Sequence, residues 1–302
     1  MELKGILPVL HMPYEEDGGS IDFQTLQRQV DYAFETGADG ICLALVSDLL
    51  RLTTAERLAL PRQLVDYAAG RGPVVIHVGA NTTQEATAYA RAARDGGASA
   101  LMATPPLTLA LPESEIQLYF EAILEAAGLP LMIQDASSYV GMPMRIEFQA
   151  ALFDKFGDRI LFKPEASPLG PMLTALRQHT GGKALIFEGS GGVLLIESFR
   201  RGIDGTIPGV EVLDGIVALW RALEAGDEER AYDLYFPICG LGTLQLQGGL
   251  DAFIIVERYL MHKRGIFPRI AHRGPLGFDL DPITRGEVDR LYDRLQQTLS
   301  TG

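Results

Sequence analysis

The feature that most constrains this chain is a repeated alternation of short apolar runs with amphipathic stretches. The runs fall at residues 5–10, 40–45, 74–78, 100–103, 131–134, 160–163, 184–187 and 205–207. Each is too short for a helix and lacks polar alternation, as strands buried on both faces of a parallel sheet do. The first intervening segment puts Phe23, Leu26, Val30, Ala33 and Phe34 on one helical face, with Gly37 just past its end. Thr53-x-x-Glu56 and Thr82-x-x-Glu85 have the form of capping boxes opening the next two helices. A weak repeat (Gly37-Ala38-Asp39-Gly40, Gly97-Ala98-Ser99-Ala100, Gly202-Ile203-Asp204-Gly205) joins helix ends to strand starts. Eight strand–helix units predict an α/β fold, a (β/α)8 TIM barrel over residues 1–225, with a doubly wound open sheet as the alternative. After Gly226 the strand pattern stops. Helical patterns at 227–239, 250–264 and 284–299, with an irregular loop at 265–282, predict a C-terminal helical extension over 226–302 packed on the barrel.

Charge narrows the partners. Among 302 residues, 39 acidic side chains outnumber 26 basic ones, a net charge of −13. That repels phosphate backbones and anionic bilayers, so neither nucleic acid nor a membrane is expected as a partner. No apolar stretch approaches the ~20 residues of a membrane span. Two cysteines, Cys42 and Cys239, form no disulfide framework, and the first residues lack a basic segment followed by an apolar one. A cytoplasmic protein is expected.

In barrels, chemistry sits at the C-terminal ends of strands. That rule nominates His11, Ser47, Asp48, Gln134, Asp135, Lys163, Glu165, Glu188, Ser190 and Glu211, and Ile207 at the end of the eighth run. Lysine stands out by inventory, five against twenty-one arginines, and only Lys163 ends an apolar strand. Desolvation there would free the amine as a nucleophile toward carbonyl carbon. The competing reading is a structural ion pair with Glu165 or Asp135. Gly189-Ser190-Gly191-Gly192 could cradle phosphate, but it holds no basic residue and reads more readily as a tight turn. The five histidines show no HxH or HExxH spacing, so neither a metal nor another cofactor is expected.

At Lys163 the chain resembles the dihydrodipicolinate synthase and N-acetylneuraminate lyase family of class I aldolases. The resemblance rests on Gly5-x-x-Pro8 with Pro13-Tyr14 and Asp17-Gly18, then Asn81-Thr82-Thr83-Gln84-Glu85-Ala86 and Pro105-Pro106. Phe162-Lys163-Pro164-Glu165, Gly189 and Gly202-x-x-Gly205 continue it. It implies a barrel, a homo-oligomer (tetramer or dimer), and a lysine, here Lys163, that forms an imine with pyruvate or another 2-oxo acid.

The departures are specific. Where the family shows Gly-Thr-Thr-Gly-Glu after strand two, this chain has Leu45-Val46-Ser47-Asp48-Leu49. Gln134 stands at the position of the family's catalytic tyrosine, Tyr139 at that of an arginine gripping the second substrate, and Leu107 at that of an interface tyrosine. These losses argue against dihydrodipicolinate synthesis while leaving imine formation open. The expected function is an aldolase- or dehydratase-type lyase acting on a 2-oxo acid such as a keto-deoxy sugar acid. Lys163, Asp135 and Gln134 are its expected catalytic residues. Ser47, Asp48, Tyr139, Glu165, Ser190 and Ile207 are expected to contact substrate. Because glutamine cannot titrate, Asp135 is the expected acid–base group, with Glu165, His11 and Tyr139 as rivals. Two alternatives stand: a non-catalytic 2-oxo acid binding relative, and a phosphate-binding barrel using the Gly189–Gly192 turn.

Overall fold

A computed structural model describes residues 3–301; residues 1, 2 and 302, the outer ends of the two predicted ranges, lie outside the described residues. The eight strands are β1 (Gly5–Ile6), β2 (Ile41–Leu43), β3 (Val74–His77), β4 (Ala100–Ala103), β5 (Leu131–Asp135), β6 (Ile160–Pro164), β7 (Phe187–Glu188) and β8 (Gly205–Thr206). All pair in parallel, β2 through β6 in sequence order and β7–β8–β1 as a second group. Parallel bridges from Val9 to Cys42 and from Phe162 to Ile186 join the two groups at both seams. The sheet therefore closes on itself, and the open-sheet alternative falls. Closure leaves no strand edge unpaired.

The alternation along each strand divides two cores. Leu7, Val9, Cys42, Met132, Leu161 and Phe187 fill the barrel interior, while their neighbours, such as Ile133 and Phe162, pack outward under the helices. Helices α1 (Phe23–Thr36), α2 (Thr54–Ala68), α3 (Thr83–Gly96), α4 (Glu113–Ala127), α5 (Ile146–Phe156), α6 (Leu169–His179), α7 (Leu195–Arg200) and α8 (Leu213–Ala225) follow the strands in turn. Asp22 caps α1 through Thr25 N, and Gly37 ends it in the left-handed conformation. On α1, Leu26, Val30 and Ala33 are buried as expected, but Phe23, in the first turn, is 42% exposed. The Thr53–Glu56 capping box is complete, whereas Thr82 caps Glu85 N without the reciprocal backbone bond.

The extension comprises α9 (Glu228–Leu246), α10 (Gly249–Lys263) and α11 (Pro282–Ser300). The first of these runs well beyond the expected end near residue 239. Gly240 and Gly242 read as helix breakers, yet here they are close-approach sites. A Cβ on Gly240 would lie 2.7 Å from Leu291 Cδ2, and one on Gly242 would lie 2.3 Å from Val193 Cγ2. The extra turns carry Leu246 to the mouth of the barrel. No helix among the described residues is long and apolar enough to cross a membrane.

Candidate active site

Strand β6 places the central pair. Leu161 faces the barrel interior, so by the two-residue period Lys163 and Glu165 face it as well. Lys163 is 3% and Glu165 8% exposed, and Lys163 Nζ lies 2.9 Å from Glu165 Oε1. Gln134, opposite Lys163 in the β5–β6 register, donates from Nε2 to Glu165 Oε2 at 2.5 Å. The Tyr139 hydroxyl donates to the same oxygen at 2.6 Å, and Gln134 Nε2 also meets that hydroxyl at 3.2 Å. Burial, then the neighbouring Glu165 carboxylate, hold the Tyr139 phenol well above its usual range, so it stays a donor at ordinary pH. Gln134 Oε1 is a buried acceptor with no protein partner.

These groups open onto a cavity of about 350 Å³ at the C-terminal end of the strands. Gly189 forms its wall beside the ion pair. A Cβ there would lie 2.4 Å from Glu165 Oε1 and 2.7 Å from Lys163 Cε, so only glycine admits the pair as it stands. Ser190 and Ile207 line the cavity too. The Ser190 hydroxyl accepts from Leu194 N at 2.8 Å.

Three expected site residues lie elsewhere. Asp135 falls on the outward-facing phase of β5, and both its oxygens are taken by backbone amides, Ser137 N at 3.1 Å and Met144 N at 2.9 Å. It fastens the loop after β5 and does not reach the cavity. Ser47 is fully buried, with its hydroxyl accepting from Ala44 N at 3.1 Å inside a tight turn, and Val46 takes the lining position. Asp48, in the left-handed conformation at φ 61°, pairs with Arg258 at 2.7 Å and Arg51 at 3.1 Å. The family's glycine turn is replaced here by a buried ionic staple to the C-terminal extension.

His11 also stands outside the cavity. Its Nε2 lies 2.9 Å from Glu211 Oε2 and its Nδ1 3.1 Å from Glu257 Oε2, all three side chains being buried. One ligand-type atom from each of the three lies within 4.8 Å of the others; the Glu211 contact is a hydrogen bond, whereas His11 Nδ1 and both Glu257 oxygens are buried without a hydrogen-bond partner. Burial and then Glu211 hold Glu257 well above the usual carboxylate range, while the His11 contact brings Glu211 below it against the effect of burial. Glu188 is likewise buried and accepts from Ser190 N and Thr206 Oγ1.

Sequence reasoning missed the far wall. Leu246 from α9, with Leu250 and Phe253 from α10, closes the cavity across from the strands. Nothing local in those helices marks them as site residues, since their role follows only from how the extension packs.

Comparison with known proteins places this geometry. The Dihydrodipicolinate synthetase family matches residues 2–279. An L-2-keto-3-deoxyarabonate dehydratase from Azospirillum brasilense is 29% identical over 97% of this chain and 94% of its own length. A dihydrodipicolinate synthase structure from Rhodopseudomonas palustris superposes with a TM-score of 0.86 at 27% identity, covering 97% of this chain and 98% of that one. A sialic acid aldolase from Ruminococcus gnavus, a catalytic lysine mutant, shares the fold with a TM-score of 0.86 at 20% identity over 99% and 97% of the two chains. The chain belongs to the dihydrodipicolinate synthetase family of Schiff-base-forming lyases.

Proposed function

We propose that this enzyme dehydrates a 4-hydroxy-2-oxo acid through an imine on Lys163, with Glu165 moving the protons. The observation that carries the reading is the 2.9 Å contact between Lys163 Nζ and Glu165 Oε1 on the polar side of the cavity. A carboxylate so placed takes the ammonium proton and leaves a neutral amine to attack C2. Glu165 returns that proton to the adduct's hydroxyl, which leaves as water; this gives the iminium, which draws electrons from C3, and restores the Glu165 carboxylate.

Glu165 then removes a proton from C3, giving the enamine. The electron pair returns, the C4–O bond breaks, and the hydroxyl departs as water with the proton Glu165 had taken. Water adds to C2 of the conjugated iminium, releasing Lys163 and the unsaturated 2-oxo acid. The net change is loss of one water. Tyr139 and Gln134 hold Glu165 in place, and the free Gln134 Oε1 accepts from the substrate's C4 hydroxyl. Ser190 keeps its hydroxyl hydrogen for the substrate, and Ile207 packs against the carbon chain.

Dihydrodipicolinate synthesis does not suit these residues, because Gln134 cannot relay a proton and Tyr139 replaces a carboxylate-gripping cation. The similarity to a keto-deoxy sugar acid dehydratase over nearly the whole chain supports elimination over aldol cleavage. Exposed Leu109 and Met142 beside Leu107 at one apolar groove support assembly with further copies of the chain, which light scattering reads directly. The functional test is product analysis with racemic 4-hydroxy-2-oxo acids. A product lighter by one water supports dehydration, and release of pyruvate with an aldehyde assigns aldol cleavage instead. A trapped imine without turnover would leave only a binding protein.

A further inference from the structure

The cavity's two halves differ in chemistry, and the cyclic order of the strands makes that difference spatial. Gln134 on β5, Lys163 and Glu165 on β6, and the loop residues Ser138, Tyr139, Ser167 and Ser190 supply the polar lining, with Leu169, Val193 and Leu194 bordering it. Across from it, Val9 after β1, Val46 after β2 and Ile207 after β8 form an apolar sector, since β8, β1 and β2 are neighbours. Leu246, Leu250 and Phe253 add apolar lining from the helical extension, Phe253 standing against Gly191. Among the described residues lining the cavity, the charged side chains are Lys163 and Glu165, whose charges cancel. The arginines of the neighbouring loop and helix are committed: Arg258 to Asp48 and the Met12 carbonyl, Arg51 to Asp48 and Asp251.

From this division we infer that the substrate carries a single carboxylate and an uncharged, apolar tail beyond C4, seated against Leu246, Leu250 and Phe253. The inference rests on the imine reading above and specifies its substrate class. A second carboxylate would enter a site with no free cation to pair it and with the Glu165 carboxylate already present, which is costly against an apolar wall. A polyol tail would leave its hydroxyls without partners against leucine and phenylalanine, losing the hydrogen bonds that water supplied. An apolar tail removes its own surface and that of the wall from water together. Leu246 itself is 43% exposed, a large apolar side chain at the cavity rim that such a tail would cover. The preference thus comes from the extension together with Val9, Val46 and Ile207 of the barrel.

Borohydride trapping tests it without requiring turnover. The intact protein is titrated with 2-oxohexanoate, 2-oxoadipate and a 2-keto-3-deoxyhexonate, equal in chain length, and the adduct on Lys163 is read by mass. The expected half-saturating concentration for 2-oxohexanoate is roughly tenfold below the polyol and about a hundredfold below the dicarboxylate. Leu246→Arg, at a position exposed enough to accept the charge, should lower the value for 2-oxoadipate by roughly tenfold. Equal values for the three acids, or a preference for the dicarboxylate or the polyol, overturn the inference. Absence of any adduct, even with pyruvate, overturns the imine reading instead. Calorimetric binding of the same three acids then decides the tail preference on its own, by the same order.

Discussion

Lys163 Nζ lies 2.9 Å from Oε1 of Glu165, two residues further along the chain, and both side chains are turned toward the barrel axis. The other Glu165 oxygen is occupied by Tyr139 and Gln134. The carboxylate is therefore held by three groups, one of which is the nucleophile. A base so fixed needs little reorganisation when the proton moves.

Replacing that carboxylate by its neutral isostere separates chemistry from binding. Glu165→Gln should lower kcat by roughly 10²–10⁴-fold, the usual contribution of a positioned acid–base group. Tyr139→Phe, which removes one of the bonds that orient Glu165, should cost less than Glu165→Gln. Steady-state kinetics on a confirmed substrate check both, and a kcat unchanged in Glu165→Gln would move the role elsewhere.

Gly189 tests whether the pair must be as tight as it is. A methyl group at Gly189 would lie 2.4 Å from Glu165 Oε1, so Gly189→Ala should push the carboxylate off the lysine and cut imine trapping at least about tenfold. Gly286→Ala in α11, where a Cβ meets nothing within 4 Å, is the control. It should leave trapping intact and raise stability by roughly 0.5–1 kcal/mol. Equal trapping in the two variants would show that the pair tolerates displacement.

Asp135 makes the opposite case. Its oxygens accept from Ser137 N and Met144 N, so Asp135→Asn should leave kcat within about threefold while lowering stability by roughly 1–3 kcal/mol. Denaturant unfolding and kinetics measure the two effects separately. A large fall in kcat with unchanged stability would return Asp135 to the catalytic set.

The buried Glu257 carboxyl predicts a pH effect on stability. Burial and Glu211 raise the folded-state pKa of Glu257 above its ordinary 4.5. Folding therefore takes up a proton above that pH. The group's stabilising contribution is full below pH 4.5 and is lost as pH rises toward the folded pKa, by at most about 1.4 kcal/mol per pH unit. Glu257→Gln keeps the size of the side chain and has no proton to take up. Its gain in Tm over the parent should be larger at pH 8 than at pH 5, measured by calorimetry. A gain independent of pH would contradict the protonated reading of Glu257.

The barrel was legible because strands buried on both faces leave a continuous apolar signature, and residues 131–134 and 160–163 lie within the observed β5 and β6. Residues 5–10 shortened to Gly5–Ile6 because Pro8 has no amide to donate to the ladder. Lys163 was legible as the one lysine ending an apolar strand. The choice between Asp135 and Glu165 turned on strand phase, since one residue reverses the face. Asp135 directly follows the apolar run 131–134, but β5 continues through it, so it keeps the outward phase. Ser47 and Asp48 stand where the family has its glycine turn, but Arg258, more than two hundred residues away, pulls Asp48 into an ion pair. Such a partner has no local trace in the sequence.

The central claim is that Lys163 forms an imine with a 2-oxo acid, and reductive trapping tests it most directly. The protein is incubated with pyruvate and borohydride, weighed intact, and mapped by peptides. The account predicts a single adduct, pyruvate less water plus two hydrogens, on the peptide carrying Lys163. It also predicts no adduct in a folded Lys163→Ala variant. An adduct on Lys4 or Lys183, or none on the native protein, would contradict it.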